Sequence, residues 1–164
     1  MERTYLTWDD IERLVDILYK RIEGKFDAIL CITRGGMVPA ALLSERVGQR
    51  NVMSAAVMFY VGDGETLDKP VFLQFPPDPQ LTGKRILVVD DVWDSGRTIV
   101  AVCERVRMVG GEPVTAVLHY KPTHSAYADV RPDYYAAEIA GWIQYPWDPK
   151  SLEKNAAEGA SRCE

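Results

Sequence analysis

Three cysteines in 164 residues, Cys31, Cys103 and Cys163, are too few and too scattered for a disulfide framework. None forms a CxxC pair, and an odd number leaves at least one thiol free. This is the pattern of reduced thiols in a cytoplasmic protein, with Cys31 and Cys103 serving as filler in apolar segments. Long hydrophobic runs are missing as well. The longest, about residues 55–61, is far below the ~18 residues that span a bilayer. Residues 1–5 carry neither the basic cluster nor the apolar stretch of a signal peptide, so none is expected. Positive charge is in deficit: 19 Lys and Arg stand against 24 Asp and Glu, a net charge of −5. That counts against a general grip on nucleic acid or on an anionic membrane, while leaving room for a small anion held locally. There is no GxxxxGK[ST] loop. Gly62-x-Gly64-x-x-Leu67 lacks the third glycine of a dinucleotide fingerprint and opens no helix. His119 and His124, the two histidines, supply no zinc ligand set and have no assigned role at this level.

What is present is an ordinary globular composition, 47% hydrophobic and 26% charged. At roughly 150 residues per domain the length gives one domain. It is read as residues 1–149, followed by a polar, Ala/Glu-rich tail at 150–164. Thr7 with Asp9 and Asp10 marks a helix start, and Ile11, Leu14, Val15, Leu18 and Ile22 recur at helical spacing until Gly24. Residues 26–32 read as a buried strand, 37–47 as a helix stopped by Gly48, and 52–60 as a strand. Residues 61–70, with two glycines and four charges, read as an exposed loop before a returning strand at 71–75. Residues 85–89 are apolar on both faces, as in a parallel sheet. A helix to about residue 109, a strand at 114–120 and short segments at 134–139 and 142–148 complete the domain. Strand, loop and helix repeat in that order, which predicts an α/β fold: a central, mostly parallel sheet with helices on both faces. Ligands in such sheets bind at the carboxyl ends of the strands, where the loops at 33–36 and 90–98 lie.

Asp90-Asp91-Val92-Trp93-Asp94-Ser95-Gly96-Arg97-Thr98 is the most informative stretch. Three carboxylates leave a strand close together, and their repulsion calls for a cation or sugar hydroxyls. Ser95 to Thr98 then open a helix with small, hydroxylated residues, whose backbone N–H groups form an anion cradle. Acids for a diol or Mg²⁺, followed by a phosphate nest, match the groups of a ribose 5-phosphate.

This stretch resembles the phosphoribosyl pyrophosphate (PRPP) signature of the type I phosphoribosyltransferases. Tyr5-Leu6-Thr7-Trp8, Thr33-Arg34-Gly35-Gly36-Met37-Val38-Pro39, Lys121-Pro122, Pro132-Asp133-Tyr134-Tyr135 and Trp142-Ile143-Gln144-Tyr145-Pro146-Trp147-Asp148 resemble the 6-oxopurine branch, its short microbial xanthine–guanine and hypoxanthine–guanine members above all. The resemblance covers residues 1–149. It implies the type I fold with a small C-terminal hood over the base. It also implies a role for each matched residue. Asp90 and Asp91 would take the ribose hydroxyls, and Asp91 with Asp148 would hold Mg²⁺. Ser95, Gly96, Arg97 and Thr98 would cradle the 5′-phosphate, and Arg34 with Gly35 the pyrophosphate, across an Arg34–Gly35 peptide that is often cis in this branch. Asp94 would be the catalytic base near N7 of the purine. Lys121 would donate to O6, Trp142 would stack on the ring, and Ile143 would offer backbone groups. Taken alone, Lys121 reads as a strand-end lysine and Trp142 as core; their positions in the pattern reverse both readings. Residues 60–75 would form a lid, although Phe59-Tyr60 stands where relatives carry Ser-Tyr.

The implied reaction is purine salvage: transfer of the phosphoribosyl group of PRPP to N9 of hypoxanthine, guanine or xanthine, with pyrophosphate leaving. The implied protein is a cytoplasmic homodimer or homotetramer with no nucleic-acid or membrane partner. Two alternatives stand beside it: a PRPP-sensing regulator on the same fold that binds nucleic acid, and a transferase for another base. A regulator would carry a basic face or an added DNA-binding domain, and Lys121 with Trp142-Ile143 disfavours adenine, uracil or orotate.

Overall fold

The computed structural model describes residues 3–62 and 65–148. Its chain order is β1 (Arg3–Tyr5), α1 (Trp8–Arg21), β2 (Ala28–Ile32), α2 (Met37–Val47), β3 (Val52–Gly62), β4 (Glu65–Gln74), β5 (Arg85–Trp93), α3 (Arg97–Met108), β6 (Glu112–Tyr120), β7 (Tyr134–Glu138) and β8 (Trp142–Gln144). Six strands form one sheet in the order β4-β3-β2-β5-β6-β7, parallel throughout except for the β3–β4 hairpin. The mostly parallel α/β sheet expected from the sequence is therefore present. No helix among the described residues is long and apolar enough to cross a membrane.

The alternation of side chains along the central strands explains why they are apolar without interruption. Ile29, Cys31, Leu87 and Val89 face Ile11, Val15 and Leu18 of α1 and Ala40 and Leu43 of α2. Their neighbours Leu30, Ile32, Ile86 and Val88 face the other way, onto Ile99, Val102 and Val106 of α3. Successive residues of a strand point to opposite faces, so a sheet covered on both faces needs apolar residues at every position. Helix α1 begins where Thr7 predicts. Its hydroxyl accepts from the Asp10 amide at 3.2 Å, and Asp10 accepts from the Thr7 amide at 2.8 Å. Cys31 and Cys103 are buried in these two layers as expected, and burial pushes the Cys103 thiol up to about 12. Cys163, Gly64 and the tail at 150–164 lie outside the described residues.

Three elements differ from the sequence reading. The segment expected as a loop before residue 71 is strand from Glu65, because β3 needs a hydrogen-bonding partner on its open edge. The irregular register of that hairpin, shifted between Ala56 and Val57 and again between Phe59 and Val61, blurred the two-residue period in the sequence. Strand β5 continues past Val89 to Trp93, since β6 runs alongside and pairs Asp90 with Val117 and Val92 with His119. Asp90 and Asp91 thus stand on rigid strand rather than in a loop. Last, β1 was not foreseen: it pairs in parallel with β8, Thr4 opposite Ile143, so the hood is built from both ends of the described chain.

Candidate active site

The carboxyl ends of β2, β5 and β6 meet at one edge of the sheet. Between β2 and α2 the chain turns sharply: the Thr33 amide bonds Ala55 O, the Gly36 amide bonds Ile32 O and the Met37 amide bonds Arg34 O. The non-proline cis peptide is Thr33–Arg34, one bond earlier than the Arg34–Gly35 bond expected from the resemblance. Strand β2 ends at Ile32, so the bend falls immediately after Thr33. Among the described residues no acceptor takes the amides of Arg34 and Gly35. Gly35 packs directly on the next strand: a β-carbon there would lie 2.3 Å from an Asp91 carboxylate oxygen. Gly36 is equally confined, with Val89 O at 2.4 Å from its would-be β-carbon.

Asp90 and Asp91 face one another's charge at the end of β5. Burial raises the Asp90 carboxyl well above the usual carboxylate range, and the Asp91 charge raises it further. Asp91 is pushed up to about 6, chiefly by burial, with the charge of Asp148 adding to it. Asp148 itself is held at the end of the hood by the Tyr145 amide, at 3.0 Å. A bound cation would offset both the burial cost and the repulsion. Mg²⁺ is usually held by one or two carboxylates, the rest of its shell being substrate oxygens and water. Asp91 and Asp148 fit that habit. No group of three His, Cys, Asp or Glu able to hold a metal occurs among the described residues, so substrate and water would complete the shell.

Beyond β5 the chain enters α3 through Gly96, which caps the helix at φ +80°. A side chain there would be strained, and its β-carbon would fall 2.3 Å from the Trp93 indole. Trp93, almost wholly buried, donates from its indole nitrogen to Ser125 Oγ at 3.2 Å and meets Tyr120 edge-on. The first turn of α3 opens with the Val100 amide on Gly96 O, and the Arg97 amide bonds Ser95 Oγ at 3.4 Å. This turn borders a cavity of about 80 Å³ lined by Asp90, Val92, Asp94, Ser95, Gly96, Thr98 and Ile99. Larger cavities lie elsewhere. One of about 260 Å³, between the hairpin and α3, has Arg97 in its lining together with Phe59 and Pro70.

Asp94 joins this cavity to Lys121. Lys121 follows β6 and is buried, a position that requires a partner for its charge. Its ammonium lies 3.3 Å from Asp94 Oδ2 and 5.8 Å from the centre of the Trp142 ring. Trp142 is half exposed, presenting an open aromatic face, whereas the Ile143 side chain is buried in the core and only its backbone can meet a ligand. The structure therefore brings together Asp90, Asp94, Ser95, Gly96 and Thr98 around one cavity. It sets Gly35 against Asp91, and Lys121 between Asp94 and Trp142.

Sequence reasoning missed three participants. His124 Nδ1 lies 3.0 Å from Asp94 Oδ1. His119 Nδ1 lies 2.9 Å from the Tyr145 hydroxyl, which donates to Asp91 O at 3.1 Å. Tyr145 in turn stacks on Trp147, with centroids 4.6 Å apart. Because the tyrosine spends its proton on Asp91 O, His119 Nδ1 is the donor to it, which identifies the tautomer. Only one signal pointed to His124, its place three residues after Lys121; nothing local linked His119 to a tyrosine 26 residues away.

His119 predicts an acid response. Burial, helped by the Lys121 charge, lowers its pKa to about 4, against about 6.5 when unfolded. As pH falls from 6.5 to 4 the unfolded chain takes up the proton first, so roughly 3 kcal/mol of stability is lost across that window. The raised carboxyls of Asp90 and Asp91 act in the opposite sense, so the comparison must be differential. Thermal unfolding of His119→Gln should lose less stability than the parent between pH 6.5 and 4; parallel curves would contradict a neutral buried imidazole.

The comparisons with known proteins agree with this geometry. Residues 3–154 match the model of the phosphoribosyl transferase domain. The chain is 34% identical over 152 residues to a xanthine-guanine phosphoribosyltransferase of Gluconobacter oxydans, covering 90% of this chain and 85% of that one. Its fold is similar to the crystal structure of a purine phosphoribosyltransferase from Pyrococcus horikoshii, with a TM-score of 0.77 and 38% identity over 90% of this chain and 95% of that one. A Neisseria gonorrhoeae protein solved with bound ppGpp is 28% identical, with a TM-score of 0.80, covering 98% of this chain and 97% of that one.

Proposed function

The chain belongs to the phosphoribosyl transferase family, and we propose that within it the protein is a purine salvage enzyme acting on 6-oxopurines with PRPP. The observation that carries the base class is the placement of Lys121. A buried ammonium, with three donors and no acceptor, stands between an acid and an open tryptophan face. It suits the 6-oxo acceptor of hypoxanthine, guanine or xanthine and opposes the 6-amino donor of adenine.

In the reaction the N9–C1′ bond forms, the bond from C1′ to the pyrophosphate oxygen breaks, and the purine ring proton passes to the Asp94 carboxylate. Asp90 and Asp91 hold the ribose hydroxyls from the rigid end of β5. The amides and hydroxyls of residues 95–98 hold the 5′-phosphate at the head of α3. The amides of Arg34 and Gly35, with the Arg34 charge, receive the pyrophosphate. Asp91 and Asp148 would hold Mg²⁺, which supplies charge compensation for the leaving group when bound. The β3–β4 hairpin, beside the cavity that Arg97 and Phe59 line, is the candidate lid that keeps water from the developing cation at C1′. Met58, Val71 and Leu73 are exposed on that hairpin and suit burial between copies of the chain, as a cytoplasmic homodimer or homotetramer requires.

The test is a panel of hypoxanthine, guanine, xanthine, adenine, uracil and orotate with PRPP, with and without Mg²⁺, the product nucleotide being followed by chromatography. Turnover of a 6-oxopurine that is lost on chelation is expected. Turnover of adenine or a pyrimidine alone would overturn the base assignment. The Neisseria relative favours a second occupant of the same groups, a guanosine polyphosphate, which would act as a competitor of PRPP in the same assay.

A further inference from the structure

Among the described residues Asp94 has two side-chain partners, and they are of different kinds. Lys121 Nζ meets Oδ2 at 3.3 Å and is also within 5.8 Å of the Trp142 ring centre, so it stands between the acid and the hood. His124 Nδ1 meets Oδ1 at 3.0 Å and has no such second attraction among the described residues. The carrying loop is firmly attached. The Lys121 amide bonds Trp93 O at 2.9 Å, the His124 and Ser125 amides bond Lys121 O, and the Ala126 amide bonds Ser95 O at 2.9 Å. Ser125 also accepts from the Trp93 indole. His124 is thus fixed to the same turn that holds Asp94, whatever happens in the hood.

We propose that His124 is a positioning residue: it holds the Asp94 carboxylate by Oδ1 while Lys121 leaves Oδ2 for the 6-oxo group of the purine. This rests on the base-binding reading above. In the free protein two donors share the carboxylate. When a 6-oxopurine draws the ammonium away, Oδ2 is released to accept the ring proton. Oδ1 keeps a donor from His124, cationic or as the neutral Nδ1–H tautomer, so the carboxylate stays aimed and is not left without a partner in a half-exposed site. Among the described residues the charged group in contact with His124 is Asp94, on the β5–α3 turn, which also meets Lys121 from His124's own loop. The proton released as N9 attacks goes to Asp94 Oδ2; His124 donates throughout and takes none.

The test uses His124→Ala, which removes the donor, and His124→Asn, whose side-chain nitrogen can occupy the place of Nδ1. In His124→Ala, kcat with a 6-oxopurine is expected to fall about 10–100-fold, a part of the ~10²–10⁴-fold that a general base contributes, while KM for PRPP changes less than about threefold. His124→Asn should restore kcat. A separate measurement needs no turnover: by NMR at fixed pH, the His124 ring-nitrogen resonances should shift between the parent and Asp94→Asn, which exchanges the carboxylate beside Nδ1 for an amide. If those resonances are unchanged, or if His124→Ala retains the parent kcat, the proposal is wrong. It is also wrong if His124→Asn is as impaired as His124→Ala. If the NMR pairing is seen but the parent turns over no 6-oxopurine, the base-binding reading has failed and the role proposed for His124 in catalysis falls with it, the contact alone standing.

Discussion

Asp94→Asn should lower kcat by ~10²–10⁴-fold and leave KM for PRPP within about threefold of the parent. Asparagine is close in shape to aspartate and still lines the cavity at the head of α3, so PRPP meets much the same surface. It cannot accept a proton at neutral pH, so the purine ring nitrogen has nowhere to deliver one as N9 attacks C1′. The substitution also removes the counter-charge of Lys121, which is buried and has its ammonium 3.3 Å from the carboxylate. Affinity for the purine should therefore shift more than affinity for PRPP. Steady-state kinetics with each substrate varied in turn separates the two. An equal fall in kcat and in PRPP affinity would make Asp94 a binding residue instead.

Gly35→Ala is the second large effect, and its cause is a contact rather than backbone conformation. The added carbon would fall 2.3 Å from one Asp91 carboxylate oxygen and 2.5 Å from its carboxyl carbon. Something must move: either Asp91, proposed to hold the ribose and the metal, or the turn whose Arg34 and Gly35 amides are proposed to receive the pyrophosphate. A displacement of about 1 Å at a reacting centre costs on the order of 10²-fold, so kcat/KM for PRPP should fall by about that factor. Overpacking of this kind costs about 1–3 kcal/mol, so the protein should remain folded. Gly48→Ala is the control. Gly48 has φ +68° and nothing within 4 Å of its would-be β-carbon. It should lose about 1 kcal/mol of stability with the PRPP kinetics intact. Matching kinetic losses in both variants would mean that general destabilisation, not the Asp91 contact, is responsible.

The layers of this protein were legible because they are written in local pattern. Thr7 and Asp10 start α1, Gly48 stops α2, and the unbroken apolar runs of β2 and β5 require a sheet covered on both sides. The acid-rich turn at 90–98 was legible for a similar reason. It is one continuous segment, in which the acids and the small hydroxylated residues follow each other along the chain. Where local pattern was weak, tertiary structure decided. The β4 strand from Glu65 exists because β3 has an edge to be paired, and β1 exists because β8 is there to receive it. Neither partner can be seen from the residues of the other.

The sequence by itself therefore determined the family and which acids, hydroxyls and small residues stand together, since these are matters of residue type within one continuous segment. Tertiary structure alone decided what surrounds them. Gly35 presses on Asp91 across 56 positions, Tyr145 reaches Asp91 O across 54, and His124 reaches Asp94 across 30. Such contacts depend on which strands lie side by side and on where each one ends. A parallel sheet sets both through crossovers much longer than any local pattern, so the neighbours that tune these carboxylates become visible only once the chain is folded.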